Sequence, residues 1–500
     1  MDRRARCHVI CLRGEASVKL SRRKACTALS PAGVTHEWRG HIRTLVVAAL
    51  STVPPSSAAP AVVPPPAPAQ LRWEPCGSQG AEGAALEVPL DWSRPDGETI
   101  TVAVTRLRAA DPAQRIGTLF FNPGGPGNAA RPWVRDRAIE LFPAALRDRF
   151  DIVGVDPRGT GDSRPLIACD KPTAELNGGR YPATRAEYDR LIAYNRSFAE
   201  ECRRATGPLI DHVDTVSSAR DFDAVRQALG EQRVSWLGLS YGTVLTATYA
   251  ELFPERVRAA VLDGPLDRSI GSRALASDDA AAAEDAFGLF ADWCESEPGC
   301  ALYGKDVRAE YGSLLDRAPL QALGHPEGVS ADQIGFGTYA KLIFRSAWSS
   351  LAEDLAAAST DASAFAAAGA RCPAYRVIAC HDMPTGDVGY AEFSARLAEV
   401  RRLAPVFGGY VEGWDIQAGC LGWPIESANP WGPIRVTGTP PLLVVAGTHD
   451  PATPLHWGEG VASQIDGSEL LVWDGVGHTA FLNHPPTVDR AVDYLITGRV

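Results

Sequence analysis

The chain has 500 residues, of which 45% are hydrophobic and 22% charged, ordinary globular values that exclude wholesale disorder, collagen and coiled coil. Lys and Arg number 49 against 60 Asp and Glu, a net charge of −11; residues 1–44 hold 10 of the basic and 3 of the acidic groups, leaving −18 on the rest. A body that acidic is repelled by phosphate backbones, so nucleic acid is not an expected partner.

Taken in chain order, the first feature is a basic leader. Arg39 and Arg43 precede the apolar run Leu45–Leu50, and the small residues Ser56, Ser57, Ala58 and Ala59 follow it. That is the order of an export signal, and the run is far short of the roughly 20 apolar residues a membrane-spanning helix needs. Residues 1–33 do not fit a conventional signal, and Val34 is an alternative start. Residues 51–69 are rich in Pro, Ala and Ser and read as an extended spacer. Eight of the 11 cysteines lie beyond residue 33. An even number suits an oxidised framework, with Cys294–Cys300 and Cys169–Cys202 as short-loop candidates and the connectivity otherwise open. There is no Cys/His cluster with zinc spacing, so neither metal nor cofactor is expected.

After the spacer, Leu86–Leu90 and Thr99–Leu107 alternate like a hairpin turning at Pro95, Asp96 and Gly97. Continuous apolar runs follow at Gly117–Phe121, Phe150–Val155, Val234–Leu239, Ala259–Leu262, Pro441–Ala446 and Leu470–Val472. Uninterrupted apolar strands predict a parallel sheet buried on both faces, and the helical pattern at Ser218–Leu229 makes the class α/β. Between about 268 and 435 the strand rhythm stops. Helices are expected at Asp278–Trp293, Tyr339–Ala358 and Tyr390–Leu403, forming an insertion over the strand ends. Polar loops at 163–215 make a second, smaller excursion. The expected organisation is a leader and spacer over 1–69, core over 70–267, helical cap over 268–435 and core again over 436–500.

Gly238, Ser240 and Gly242 form G-x-S-x-G directly after a strand and before a helix, the context of a nucleophile elbow. A serine hydroxyl needs a base. In this architecture the chain order is Ser, acid, His, which selects His478, just past the last strand, over His449, His456 and His484. Asp450, ending the run before it, is the candidate orienting acid; capping the helix after Pro451 is its alternative role, and Asp474 is the weaker orienter. The oxyanion needs N–H donors. Tyr241, after the nucleophile, and Gly125, in the glycine-rich Asn122–Gly127 loop after an early strand, are the candidates. Asp156, Arg158 and Asp162 read as ties between loops beneath the site.

The segments NPGGPG, DPRGTGDSRP, GLSYG, GTHDPATP and GVGHT occur in this order over most of the chain. Together they resemble the α/β-hydrolase fold, and more narrowly the secreted actinobacterial tripeptidyl aminopeptidases, related to prolyl aminopeptidases and mycobacterial exported carboxylesterase/proteases. The resemblance covers about residues 70–495, with about 400–495 similar to that family's terminal region. It implies a mostly parallel sheet with a helical cap, and Ser240, Asp450 and His478 as triad beside Gly125 and Tyr241. It also implies a peptide substrate with a free N-terminus, whose amine the cap recognises through carboxylates. Glu284, Asp285, Asp292, Glu295 and Glu297 are candidates there, with Asp263 and Asp267 nearer the expected site. The same triad serves a carboxylesterase or lipase. A non-catalytic binding module fits less well, since every expected group is present, and an epoxide- or halide-processing hydrolase would carry Asp where Ser240 stands.

Overall fold

The computed structural model describes residues 71–169, 179–318, 328–366, 368, 372–383, 388–425 and 431–500; the export signal and spacer expected within 1–69 lie outside them. Nine strands form one sheet: β1 (Glu74–Cys76), β2 (Ala81–Pro89), β3 (Thr99–Leu107), β4 (Gly117–Asn122), β5 (Phe150–Asp156), β6 (Val234–Leu239), β7 (Val257–Asp263), β8 (Leu443–His449) and β9 (Glu469–Val476). Their order is β1-β2-β3-β5-β4-β6-β7-β8-β9. β2 and β3 pair antiparallel with Pro89 opposite Thr99, the expected hairpin, and β3 meets β5 antiparallel. From β5 to β9 every pairing is parallel. β1, whose two leading residues are exposed, has no apolar run to betray it and was not expected.

Every residue of β4, β5 and β6 is buried, because successive side chains point to opposite faces and both faces are covered. Phe120 and Trp236 point into one core, with Phe222 and Tyr249 from the helices Thr215–Ala228 and Tyr241–Leu252. Phe121 and Leu237 point into the other, with Val488 and Val492 from the C-terminal helix Pro485–Thr497. Arg158, fully buried, forms a two-pronged ion pair with Asp221, at 2.6 and 2.8 Å, and donates to the carbonyls of Leu90 and His212. Its loop is thus tied to the first hairpin, as expected of a structural motif. The helix carrying Asp221 begins earlier than expected: Asp214 caps it by accepting from Ser217 N, and Asp221 lies in its interior.

Between β7 and β8 the described chain is helical, led by Ser272–Ser296 and including Ala331–Leu342, Trp348–Ala357, Pro373–Asp382, Tyr390–Leu403 and Glu412–Gly419. The single helix expected over Tyr339–Ala358 is two. The break falls where helical carbonyls are taken by other donors, Leu342 O by the Trp348 indole at 3.2 Å and Ile343 O by His478 N at 2.8 Å. The excursion at 163–215 also differs from expectation, since it holds the 22-residue helix Arg185–Thr206, opened by a capping box between Thr184 and Glu187. Tyr188 and Leu191 of that helix belong to the core of the cap. Asn195 donates to the carbonyls of Ala418 and Leu421, and Arg180 pairs with buried Asp415 at 2.7 Å. Both short-loop disulfides expected from the sequence form, and Cys380–Cys420 adds a third.

Candidate active site

Ser240 sits between β6 and its helix at φ 56°, ψ −128°, left-handed space that a side chain rarely enters. The reason for the flanking glycines is steric. A Cβ on Gly238 would lie 2.4 Å from Gly242 O, and one on Gly242 would lie 2.6 Å from Asn122 O. Ser240 N is held by Asp263 O at 2.9 Å, so the end of β7 fixes the turn.

Beside the turn runs the glycine-rich loop. Asn122 Oδ1 accepts from Gly124 N at 2.9 Å, which occupies that amide and leaves Gly125 as the loop residue facing the cavity. A Cβ on Gly124 would meet Ser240 Cβ at 2.9 Å and Tyr241 N at 3.1 Å. Only glycine allows the loop and the first amide of the elbow helix to stand this close.

The structure brings Asp450 and His478 together: Nδ1 lies 2.9 and 3.0 Å from the two carboxylate oxygens. Asp450 is buried and also accepts from Ala452 N, Thr453 N, Thr453 Oγ1 and Thr479 N. It therefore both caps its own turn and orients the imidazole. His478 Nε2 is buried with no hydrogen-bond partner. Thr453 joins the two halves, since its Oγ1 reaches Asp450 and His478 while the residue lines the same cavity as Ser240 and Gly125. Desolvation favours the neutral ring, but the charge and hydrogen bond of Asp450, with Asp263 and Glu412 adding, leave the His478 pKa above its ordinary value. Asp263 is itself buried and pushed up to about 7 by desolvation. It accepts from the amides of Ala480 and Phe481, which hold the histidine loop against β7.

The three rival histidines, His449, His456 and His484, do other work. His449 pairs with Asp285 at 2.6 Å and His456 with Asp278 at 2.9 Å, both linking the acid loop to the long cap helix Ser272–Ser296. His484 stacks on Trp473, and Asp474 accepts from Thr448.

A small cavity lies over Ser240. Leu266, Leu275, Met383, Ile416 and Trp457 give it apolar walls, and two carboxylic residues enter it, Asp279 and Glu412. None of the cap acids expected from the sequence lines it. Glu284 accepts from the amides of Val406 and Phe407, Asp285 is taken by His449, and Asp292 and Glu295 pair with Arg308. Glu297 closes a local turn at Gly299 N, and Asp267 is bound by Ser269 N and Gln464. Asp279 falls on the buried stripe of its helix with Leu275, Ala276, Ala280 and Ala283, a position where a carboxylate needs a reason and which marks it in the sequence. Asp279 accepts from Gly413 N at 2.7 Å and Tyr339 OH at 3.1 Å; Glu412 accepts from Tyr375 OH at 2.5 Å. Desolvation, reinforced by the charge of Glu412, pushes the Asp279 carboxyl well above the usual range.

A family model described as alpha/beta hydrolase fold matches residues 117–485. The chain belongs to the α/β-hydrolase family. The serine protease Hip1 of Mycobacterium tuberculosis is 32% identical over 86% of this chain and 89% of its own length. The tripeptidyl aminopeptidase of Streptomyces lividans is 30% identical, over 86% of this chain and 85% of its own. Carboxylesterase B of M. tuberculosis is 32% identical, over 84% of each. Within the α/β-hydrolases the chain is a serine hydrolase of the actinobacterial tripeptidyl aminopeptidase family.

Proposed function

We propose that this α/β-hydrolase is an exported aminopeptidase that releases short peptides from free N-termini through an acyl-enzyme. The observation that carries the reading is the pair of carboxylic residues, Asp279 and Glu412, set among apolar walls above Ser240. Two acids in one desolvated space repel each other, and a bound ammonium group relieves both. In this reading Ser240 Oγ attacks the peptide carbonyl while His478 Nε2 takes its proton. The carbonyl electron pair moves to oxygen, facing the N–H groups of Tyr241 and Gly125. Collapse breaks the C–N bond as His478 returns the proton to the leaving amine, and water then releases the acyl group by the same route. Asp450 holds the ring by Nδ1, which leaves Nε2 for proton transfer. Export is supported by the three disulfides, which persist in oxidising compartments. Among the described residues no helix is long and apolar enough to cross a membrane.

The apolar walls favour a second reading, a carboxylesterase with the same nucleophile. The deciding experiment compares a free-amine tripeptide amide, its N-acetylated twin and a short-chain ester, with Ser240→Ala as control. Strong preference for the free amine with an inert control supports the aminopeptidase. If the ester wins and acetylation makes no difference, the protein is an esterase.

A further inference from the structure

Helix Pro373–Asp382 belongs to the cap, yet both its ends press on the two walls assigned to the oxyanion. At its start, a Cβ on Gly127 would lie 3.0 Å from Tyr375 N, so the glycine-rich loop rests against the helix backbone. At its end, Asp382 is buried and accepts three hydrogen bonds, from Thr215 N at 3.1 Å, Thr215 Oγ1 at 2.6 Å and Tyr241 OH at 2.8 Å. Thr215 Oγ1 and Tyr241 OH also lie against each other, so the three polar groups form a closed cluster in which each hydroxyl gives its one proton to Asp382. All three residues are buried, beneath the cavity that the next residue, Met383, helps to line.

Tyr241 is the first residue of the elbow helix, directly after Ser240. Its amide lies where the glycine loop comes closest, and its side chain is gripped from the cap. Fixing the phenol fixes the torsions of the residue that presents the amide. We propose that Asp382 is a positioning residue for the oxyanion hole, acting through the Tyr241 hydroxyl, so that the cap sets the geometry of a donor that the core contributes. A buried carboxylate costs stability unless fully satisfied; the three donors satisfy this one, and the arrangement makes oxyanion stabilisation depend on a helix of the inserted segment that is packed into the core over the sheet. Desolvation raises the Asp382 pKa, and a protonated acid would keep the same partners by donating one bond.

This inference rests on Ser240 as nucleophile and Tyr241 N–H as donor, so its test carries a separate arm for that reading. Tyr241→Phe removes one hydroxyl and keeps the amide; Asp382→Asn changes the acceptor; the double variant closes the cycle. Turnover of a short-chain ester is measured for each, together with inhibition by a trifluoromethyl ketone, whose tetrahedral adduct needs the oxyanion hole. Losing a donor outright costs about 100- to 1,000-fold in kcat, and a misplaced one about 10- to 100-fold. Each single variant is expected to lose about 10- to 100-fold in kcat with KM within about threefold. Trifluoromethyl ketone binding should weaken in parallel, and the double variant should be no worse than the singles. Should Asp382→Asn not fold, Tyr241→Phe alone decides. Near wild-type kcat in a folded variant, a loss carried by KM alone, or multiplicative effects in the double variant overturn the proposal. An active Ser240→Ala overturns the nucleophile reading instead, and the two failures are told apart by that arm.

Discussion

Replacing Glu412 by Gln isolates the charge that the amine reading needs. Glu412 is half-buried and anchored by Tyr375 OH, a bond that the amide oxygen of Gln can also accept, so the side chain stays in place. What is lost is the charge facing the substrate ammonium. An exposed pair contributes about 0–1 kcal/mol and a charge-assisted hydrogen bond about 1.5–3 kcal/mol. At intermediate burial about 1.5–2.5 kcal/mol is reasonable, which at 1.4 kcal/mol per factor of ten is about 12- to 60-fold in kcat/KM. Asp279→Asn should cost less, because desolvation and the charge of Glu412 already favour its neutral form in the empty cavity. The assay is kcat/KM on a free-amine tripeptide amide, its N-acetyl twin and a short-chain ester. The loss is expected on the first substrate alone, narrowing the gap between free and acetylated peptide. An equal drop on all three would mean that Glu412 supports the fold or the histidine rather than the amine.

Gly242→Ala places a methyl 2.6 Å from Asn122 O; about 1–3 kcal/mol of stability and at least tenfold in fluorophosphonate labelling rate should go, and a variant that labels at the normal rate contradicts the packing account. The acid limb of kcat/KM should lie above the ordinary histidine pKa of about 6.5, since the His478 pKa is raised; activity falls as pH drops through it and the base is protonated. Asp263→Asn removes one of the carboxylates that raise it, so the limb should move to lower pH; a pH–rate profile that does not shift removes Asp263 from the electrostatics of the site. The loop closed by Cys380–Cys420 spans 40 residues, for which chain entropy suggests about 4 kcal/mol; paired Ser substitutions measured by denaturant unfolding should approach that figure, and a change under about 1 kcal/mol would show that packing alone joins the two helices.

How much of this was legible in the sequence depended on how local the signal was. β4 to β8 announce themselves because strands buried on both faces leave continuous apolar runs, whereas β9 is largely exposed and shows only the short run Leu470–Val472. The elbow is legible because Gly238 is required by Gly242 four residues on, although Gly242 itself is required by the distant Asn122. The pairing of Asp450 with His478 followed from chain order, which the topology dictates. The cap was harder. Its acids look alike along the chain, and only packing decides that Glu284 serves two backbone amides while Asp279 reaches the cavity. Asp279 was nonetheless findable, as an acid within a helix's apolar stripe. Glu412 was not, since the short helix it opens is buried at almost every other position and offers no contrast.

The core of the cap takes side chains from two stretches separated by the elbow. Tyr188 packs on Tyr390 and Phe393, Trp414 donates to Arg180 O, and Arg180 shares Asp415 with Arg376. The cap, to which the aminopeptidase reading assigns specificity, is thus discontinuous in the gene. A chimera that transplants only the segment between β7 and β8 onto a relative would leave Asp415 with one arginine, Tyr390 and Phe393 without Tyr188 and a helix of the host in the wrong company. Exchange of substrate preference between members of this family therefore requires moving both segments as a unit, and recombination points placed inside either one should yield insoluble protein.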